Sequence, residues 1–480
     1  MMSNCIVWSS DRKANIPASV FPIKGFSLSV RSRIATLYLL GFAVDLANMF
    51  IFNAALPALQ RELNASVAQL TWVGTIYMLG LTVAIPLGSW LARRIGERRV
   101  FVASLLIVAV GGIGGGSAGG MTALLAWRLV QGLGGGLLVP VGQSMAYRAY
   151  PPEDRAHLTA VVMTVALLVP ALSPAIGGIA ADRVSWRWVF VGIAPLAVAI
   201  AALTLAWAPA QRPTEAKPAL DIPGFLLSAV TLFCLPLGLT LVSQAGNTLH
   251  AAVALVVAAV AGASYVHHAL RSPEPLLDLR LLSDPMLRTG SIIYLCVPGV
   301  FTGVNLVASL YLQDRLGLTA TDTGMLMLPW ASASFVGIMS TRRLFASRGP
   351  RPLFAVGMAV TSAGVLLLAT PFAGLLFVRI ASFVAMGFGA SLCTSTAQTA
   401  AFTSVQTERM AEASALWNIN RQLSFSLGAS VLGGLLGFFF AVGGNTGDTM
   451  PYRYCFVIAA VLIVLPLPLV LRLRSGGQHA

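Results

Sequence analysis

The chain has 480 residues, of which 57% are hydrophobic and only 10% charged, with a mean hydropathy of +0.81. Soluble domains carry about 25% charged residues, so composition excludes a soluble globular protein and indicates a polytopic membrane protein. The formal charge of +14 is spread as a membrane topology rather than as a binding patch, which excludes a nucleic-acid partner.

Residues 1–32 are mixed and weakly basic (Arg12, Lys13, Lys24, Arg31) and lack the apolar core and cleavage site of a signal peptide, so they read as a cytoplasmic tail. Fourteen apolar spans follow, centred near residues 45, 80, 108, 133, 169, 196, 233, 259, 300, 333, 361, 385, 427 and 463. With the N terminus inside, inner segments hold 23 of the 31 Lys and Arg. Outer loops hold five (Arg61, Arg183, Arg187, Arg315, Arg453), and three lie within spans (Arg128, Arg379, Arg421). This positive-inside pattern predicts a multi-pass protein of the inner (plasma) membrane with both termini cytoplasmic.

The first span supplies, from Leu37 to Leu56, the roughly 20 residues needed to cross about 30 Å of hydrocarbon. It puts Asp45 near the midplane, where an ionised side chain costs about 2.5–3.5 kcal/mol. Asp is too short to snorkel from that depth, so the carboxylate is expected to be paired or functional. Asn48 shares its face, and Asn53 lies near the same arc. In the third span Gly114–Gly119 fits G-x-G-x-x-G, but no strand precedes it, so it is no dinucleotide fingerprint; its small residues suit close helix contact.

In the fourth span Arg128, Gln131, Gly132 and Gly135 recur at i, i+3, i+4 and i+7, one helical stripe. Counting about 1.5 Å per residue from the outer surface, Arg128 lies at about 10 Å, Asn48 at about 12 Å and Asp45 at about 16 Å. The arginine can therefore reach Asn48, and Asp45 if extended. Asp45 is the only acid deep within a span; Glu412 sits near the start of the thirteenth. Burial and a guanidinium act on a carboxyl proton in opposite senses, which makes Asp45 a candidate proton switch, with a structural ion pair as the plain alternative.

The fifth span carries Pro170, Ser173, Pro174, Gly177 and Gly178. Two prolines four apart remove backbone hydrogen bonds and kink a helix, and the glycines allow close contact with a neighbour. A polar linker from Ala210 to Asp221 leads into two spans near 223–243 and 249–269, and a second linker from Arg271 to Pro285 precedes the last six. The organisation is six, two, six. Leu59–Ser66 after the first span matches Leu312–Thr319 after the ninth; less closely, the outer-half Arg128 followed by Gly132–Gly135 matches Arg379 followed by Gly387–Ala390. Paired halves of this kind are parallel repeats.

Polar and aromatic groups available to a central cavity are Asn53, Trp72, Tyr77, Tyr294, Asn305, Trp330, Asn418, Asn420 and Arg421. Aromatic cages favour organic cations, whereas a buried arginine such as Arg421 calls for a partner or an anionic substrate group. The five cysteines stand singly and no metal-ligand spacing occurs, so no metal site is expected.

Over about residues 33–474 the chain resembles the fourteen-span EmrB/QacA-type drug:proton antiporters of the major facilitator superfamily. Ser173–Gly178 resembles the antiporter motif G-P-x-x-G-G, with Ser173 for its first glycine. Arg128–Gly132 matches R-x-x-Q-G of the fourth helix, whose arginine is implicated in proton coupling. The loop from Ser89 through Arg93, Arg94, Gly96 and Arg98 to Arg99 resembles G-x-L-a-D-R-x-G-R-R, with Arg93 in the acid's place. Asn53–Pro57 fits the end of D-x-T-x-x-N-x-A-L-P, but the acid position holds Asn48 and the threonine position Phe50. Either Asp45, one turn deeper, has taken over the proton site, or Asn48 fills the arginine's partner position.

The resemblance implies an all-α integral membrane protein with the major facilitator fold: two six-helix bundles related by a pseudo-two-fold axis, plus two extra central helices. The divisions expected are a tail at 1–32, bundles at 33–208 and 271–474, the linker and extra pair at 209–270, and a C-terminal tail at 475–480. It implies no enzyme and no cofactor, but alternating-access efflux driven by the proton gradient and conferring multidrug resistance. Proton coupling falls to Asp45, Asn48, Arg128 and Gln131. The absence of a second deep acid favours monocationic or neutral hydrophobic substrates. The alternative is an exporter dedicated to one metabolite, such as an antibiotic or siderophore. A monomer in the lipid bilayer is expected; a periplasmic adaptor and an outer-membrane channel are admissible partners.

Overall fold

The computed structural model describes residues 29–65, 67–209, 219–242, 248–443 and 449–473. Most of the N-terminal tail, the C-terminal tail, residues 210–218 of the first linker and the side chain of Pro174 lie outside the described residues. Among the described residues, fourteen helices are long and apolar enough to cross a membrane. They are α1 Val30–Asn53, α2 Trp72–Ile95, α3 Glu97–Gly116, α4 Met121–Ala149, α5 Pro152–Ala181, α6 Arg187–Trp207 and α7 Ile222–Leu239. The second half follows with α8 Thr248–Arg271, α9 Pro285–Arg315, α10 Asp322–Arg348, α11 Pro350–Ala369, α12 Leu376–Ser404, α13 Thr407–Phe440 and α14 Met450–Leu471. No strand occurs among the described residues. Hydrocarbon cannot hydrogen-bond exposed backbone, and helices satisfy theirs internally.

The packing repeats eight helices on. In the first bundle α4 packs against α1, α2 and α3, while α3 also meets α6 and α1 meets α5. In the second, α12 packs against α9, α10 and α11, while α11 meets α14 and α9 meets α13. Between the bundles α2 meets α13 and α5 meets α10, a pair exchanged by the same relation. The extra pair, α7 and α8, forms a hairpin that rests through α7 on α2 and α13. Tyr265 of α8 fixes it by exchanging hydrogen bonds with the backbone of Leu277 (3.1 Å each).

Glycine sets the closest seams. A Cβ on Gly132 or Gly136 of α4 would strike the backbone of α2 at Tyr77 and Leu81, and one on Gly387 of α12 would strike the carbonyl of Trp330 in α10. The two glycines paired in the sequence repeat thus hold equivalent places. Gly132→Ala is expected to cost about 1–3 kcal/mol through overpacking, read as a lower melting temperature of the purified protein. An unchanged value would show the seam to be loose.

The ends of α2, α4, α8 and α10, with Arg93, Arg94, Arg148, Arg271 and Arg348, define one face, the basic face. Polar bonds crossing between the bundles gather there. Arg155 donates to the carbonyls of Phe402 and Val405 (the latter at 3.4 Å). Gln398 donates to the Tyr147 hydroxyl (2.8 Å) and Asn418 to Gln143 Oε1 (2.7 Å). At the opposite face, a Cβ on Gly178 would meet nothing within 4 Å among the described residues. The close contact expected of the antiporter glycines is therefore not made at this position by the described residues, where α5 has no described neighbour against that spot. The helix itself runs unbroken from Arg155 to Arg183.

Candidate functional site

Asp45 is buried midway along α1. The Tyr77 hydroxyl of α2 donates to Asp45 Oδ1 at 2.6 Å, and Gly135 of α4 leaves the room: a Cβ there would fall on that same oxygen. Tyr77, placed by sequence among cavity residues, is wholly buried and belongs to the acid's own shell. A partner search by charge overlooks a phenol, whose hydroxyl seeks an acceptor when buried.

Arg128 does not pair with Asp45. Its Nε donates to the Val73 carbonyl (3.1 Å), one terminal nitrogen to Gln131 Oε1 (2.9 Å) and the other to the Asn48 carbonyl (3.2 Å). Just beyond Asn48, α1 tightens to a 3-10 segment over Ile51–Ala55. The guanidinium lies over the rings of Tyr77 (4.4 Å to the centroid), Phe52 (5.0 Å) and Phe190 (5.7 Å). Charge thus meets acid through one aromatic ring: the arginine faces Tyr77, and the hydroxyl of Tyr77 faces Asp45. The Asn48 side-chain amide and Gln131 Nε2 are buried with no hydrogen-bond partner among the described residues. They sit where a shifted bond could be taken up, and Gln131 packs on Gly111 and Gly112 of α3.

A buried carboxyl, phenol and guanidinium thus meet on three helices of one bundle. The sequence profile of the Major Facilitator Superfamily matches residues 38–429. The chain belongs to the major facilitator superfamily. Among relatives of this facilitator, "Uncharacterized MFS-type transporter YhcA" of Bacillus subtilis (strain 168) is 28% identical over 82% of this chain and 74% of its own. "Putative multidrug resistance protein MdtD" of Salmonella typhi is 27% identical over 92% and 94%. Among solved structures, the human organic anion transporter MFSD10 superposes with a TM-score of 0.69 at 17% identity, over 92% of this chain and 100% of that one. The proton:xylose symporter XylE gives 0.62 at 14%, over 92% and 96%. The fold is shared with both, and the protein is a multi-pass membrane transporter rather than an enzyme.

The remaining candidates of the facilitator divide by place. Asn418 is buried and ties α13 to Gln143, so it joins the bundles instead of lining a cavity. Asn420 donates to the Ser291 carbonyl (3.2 Å). Tyr294 is buried edge-on to Trp417, 5.1 Å between centroids. Trp330 stacks on Phe301 at 5.8 Å, and Trp72, Asn305 and Arg421 are half-buried. Asn53 is exposed and bonds the Phe50 carbonyl. Ser173 turns its hydroxyl back onto the Val169 carbonyl (2.6 Å), within its own helix; Pro170 and Gly178 are half-buried and Gly177 buried.

The loop after α2 joins the bundles with its polarity reversed. Arg93, standing where the resemblance has an acid, forms an ion pair with Glu412 of α13. Glu412 also accepts from Arg409 (3.2 Å), which in turn pairs with Asp278. Glu97 accepts from Ser144 (2.7 Å) and Arg148 (3.3 Å) inside the first bundle. Gly96 has a positive φ of 92° that starts α3, Arg94 lies over Trp90, Arg98 donates to the Leu205 carbonyl and Arg99 is exposed. Glu412→Gln removes the negative charge that Arg93 and Arg409 share. A part-exposed pair contributes about 1 kcal/mol, or about fivefold in population. Spin labels across the basic face are expected to show the open fraction rising by that factor; an unchanged distance distribution would deny the pair any latching role.

Proposed function

We propose that this facilitator is a proton-coupled exporter of hydrophobic small molecules bearing at most one charge, working by alternating access in the plasma membrane. The observation that carries the reading is Asp45, a buried carboxyl in a spanning helix, held by Tyr77 and backed by Arg128. The positive-inside distribution makes the basic face cytoplasmic, with both termini on that side. The bonds gathered there hold the two bundles together on that side, and in the cycle proposed Asp45 takes its proton from the other. Proton entry at Asp45 then accompanies substrate release, and the return step delivers the proton inside.

A potential of 100 mV supplies about 2.3 kcal/mol per charge moved, enough for about fiftyfold accumulation of a neutral substrate. No cofactor is needed beyond the gradient. The relatives named for multidrug resistance support a broad range of substrates, and the narrower alternative remains an exporter of one metabolite. The test is dissipation of an imposed pH gradient by a library of unrelated compounds in liposomes reconstituted with the full chain. Many active compounds support the broad reading, one supports the narrow reading, and none refutes proton coupling.

A further inference from the structure

We infer that Arg421 is a substrate-binding residue that recognises an anion, so that the molecules carried are hydrophobic bodies bearing one carboxylate or sulfonate group. The inference rests on the transport reading above and fixes the sign of the charge. Arg421 lies in the body of α13, about 16 Å along the helix from Met410. A cation there costs about 2.5–3.5 kcal/mol unless it finds a partner. The three arginines within spans meet that demand differently. Arg379 stands near the start of α12, and Arg128 spends all three of its nitrogens on named acceptors.

Arg421 makes no hydrogen bond or ion pair among the described residues. Its guanidinium lies 5.7 Å from the ring of Phe42 on α1, which itself stacks on Tyr38 with centroids 5.8 Å apart. The group therefore stands between the two bundles. One helical turn below it, the Asn418–Gln143 bond closes the gap. One turn above, Phe425 packs on Tyr294 with centroids 6.0 Å apart. The half-buried guanidinium has a polar floor and aromatic walls, with its donors unspent.

The Oδ1 of Asp45 is held by Tyr77, and no ion pair joins Asp45 to Arg421. The carboxylate is thus not a free counter-charge for a cationic substrate, which reverses the preference drawn from the lack of a second deep acid. A planar fork of donors matches a carboxylate or sulfonate in bidentate fashion. An anion leaving as a proton enters would move two charge equivalents per cycle, so its export would respond twice as steeply to membrane potential as that of a neutral molecule.

The test is equilibrium binding to the purified full chain, without any gradient, of four probes on one scaffold: 2-naphthoate, 2-naphthalenesulfonate, methyl 2-naphthoate and 2-naphthylmethylammonium. Both anions are expected to bind at least about tenfold tighter than the ester and the ammonium, the scale of one charge-assisted hydrogen bond. Arg421→Gln should erase that difference while leaving the ester unchanged. Should Arg421→Gln fail to fold, Arg421→Lys carries the test, a point charge weakening the anions severalfold and the ester not at all. Equal binding of acid and ester, tighter binding of the ammonium, or no binding of either anion overturns the inference. Because no gradient is present, anion binding without pH-driven transport would sink only the coupling reading. Export of neutral compounds without anion preference would sink only this one.

Discussion

Asp45→Asn protein in everted vesicles is expected to accumulate no substrate when a pH gradient is imposed, matching vesicles without transporter. The substitution is nearly isosteric. An asparagine carbonyl can still accept from Tyr77, and the side chain still fits against Gly135, so the seam between α1, α2 and α4 should hold. Only the proton is removed from the chemistry. Without it the about 2.3 kcal/mol that 100 mV supplies per charge has nothing to act through, and the expected loss is of all uphill transport. Exchange of labelled for unlabelled substrate needs no net proton movement, and it should survive in the same vesicles. That pairing separates a coupling defect from a misfolded protein. Wild-type accumulation by the asparagine variant would remove Asp45 from the mechanism.

Tyr77→Phe sharpens the same point. Deleting the hydroxyl leaves a buried carboxyl without its donor, and an orphaned buried acceptor costs about 1–3 kcal/mol or more. The expected outcome is a shifted pH profile of transport with exchange retained, since the proton-binding group itself is still present.

The architecture was legible because each level of the sequence pointed one way. Span length, the inner bias of lysine and arginine, and the repeat linking Gly132 with Gly387 all describe one bundle used twice, with α7 and α8 inserted between. The site was legible in its elements but not in its bonds. Depth along a helix places Asp45, Asn48 and Arg128 at similar heights, yet height says nothing of azimuth. Arg128 met backbone carbonyls and aromatic faces because a guanidinium has five donors in a fixed plane, and the nearest acceptors on α1 and α2 were main-chain ones. Tyr77 offers both a ring to stack and a hydroxyl to donate, and only the packing around it decides that the hydroxyl meets Asp45. The Arg93–Glu412 pair could have been found: an arginine replacing an acid in one bundle asks for an acid in the other, and Glu412 begins the facing helix.

The second large effect concerns Arg128. Arg128→Ala is expected to insert and fold yet lose nearly all proton-coupled transport. The reason lies in what the arginine touches. Its acceptors at Val73 and Asn48 are carbonyls of helical backbone, and Asp45 keeps Tyr77, so truncation strands no buried charge. A broken buried ion pair, by contrast, would cost about 3–5 kcal/mol. What disappears is the positive charge 4.4 Å from the Tyr77 ring and the three-way rivet that keeps that ring against the acid. Arg128→Lys divides these contributions, since lysine restores the charge but not the planar fork. If the rivet matters, lysine should recover under about one-tenth of the wild-type coupled rate, in line with the loss of one or more charge-assisted bonds, while passing the same thermal-melt test as alanine. A lysine variant that transports at the wild-type rate would leave only the charge as necessary. An alanine variant that does so would dismiss Arg128 altogether and leave Asp45 and Tyr77 to couple the proton by themselves.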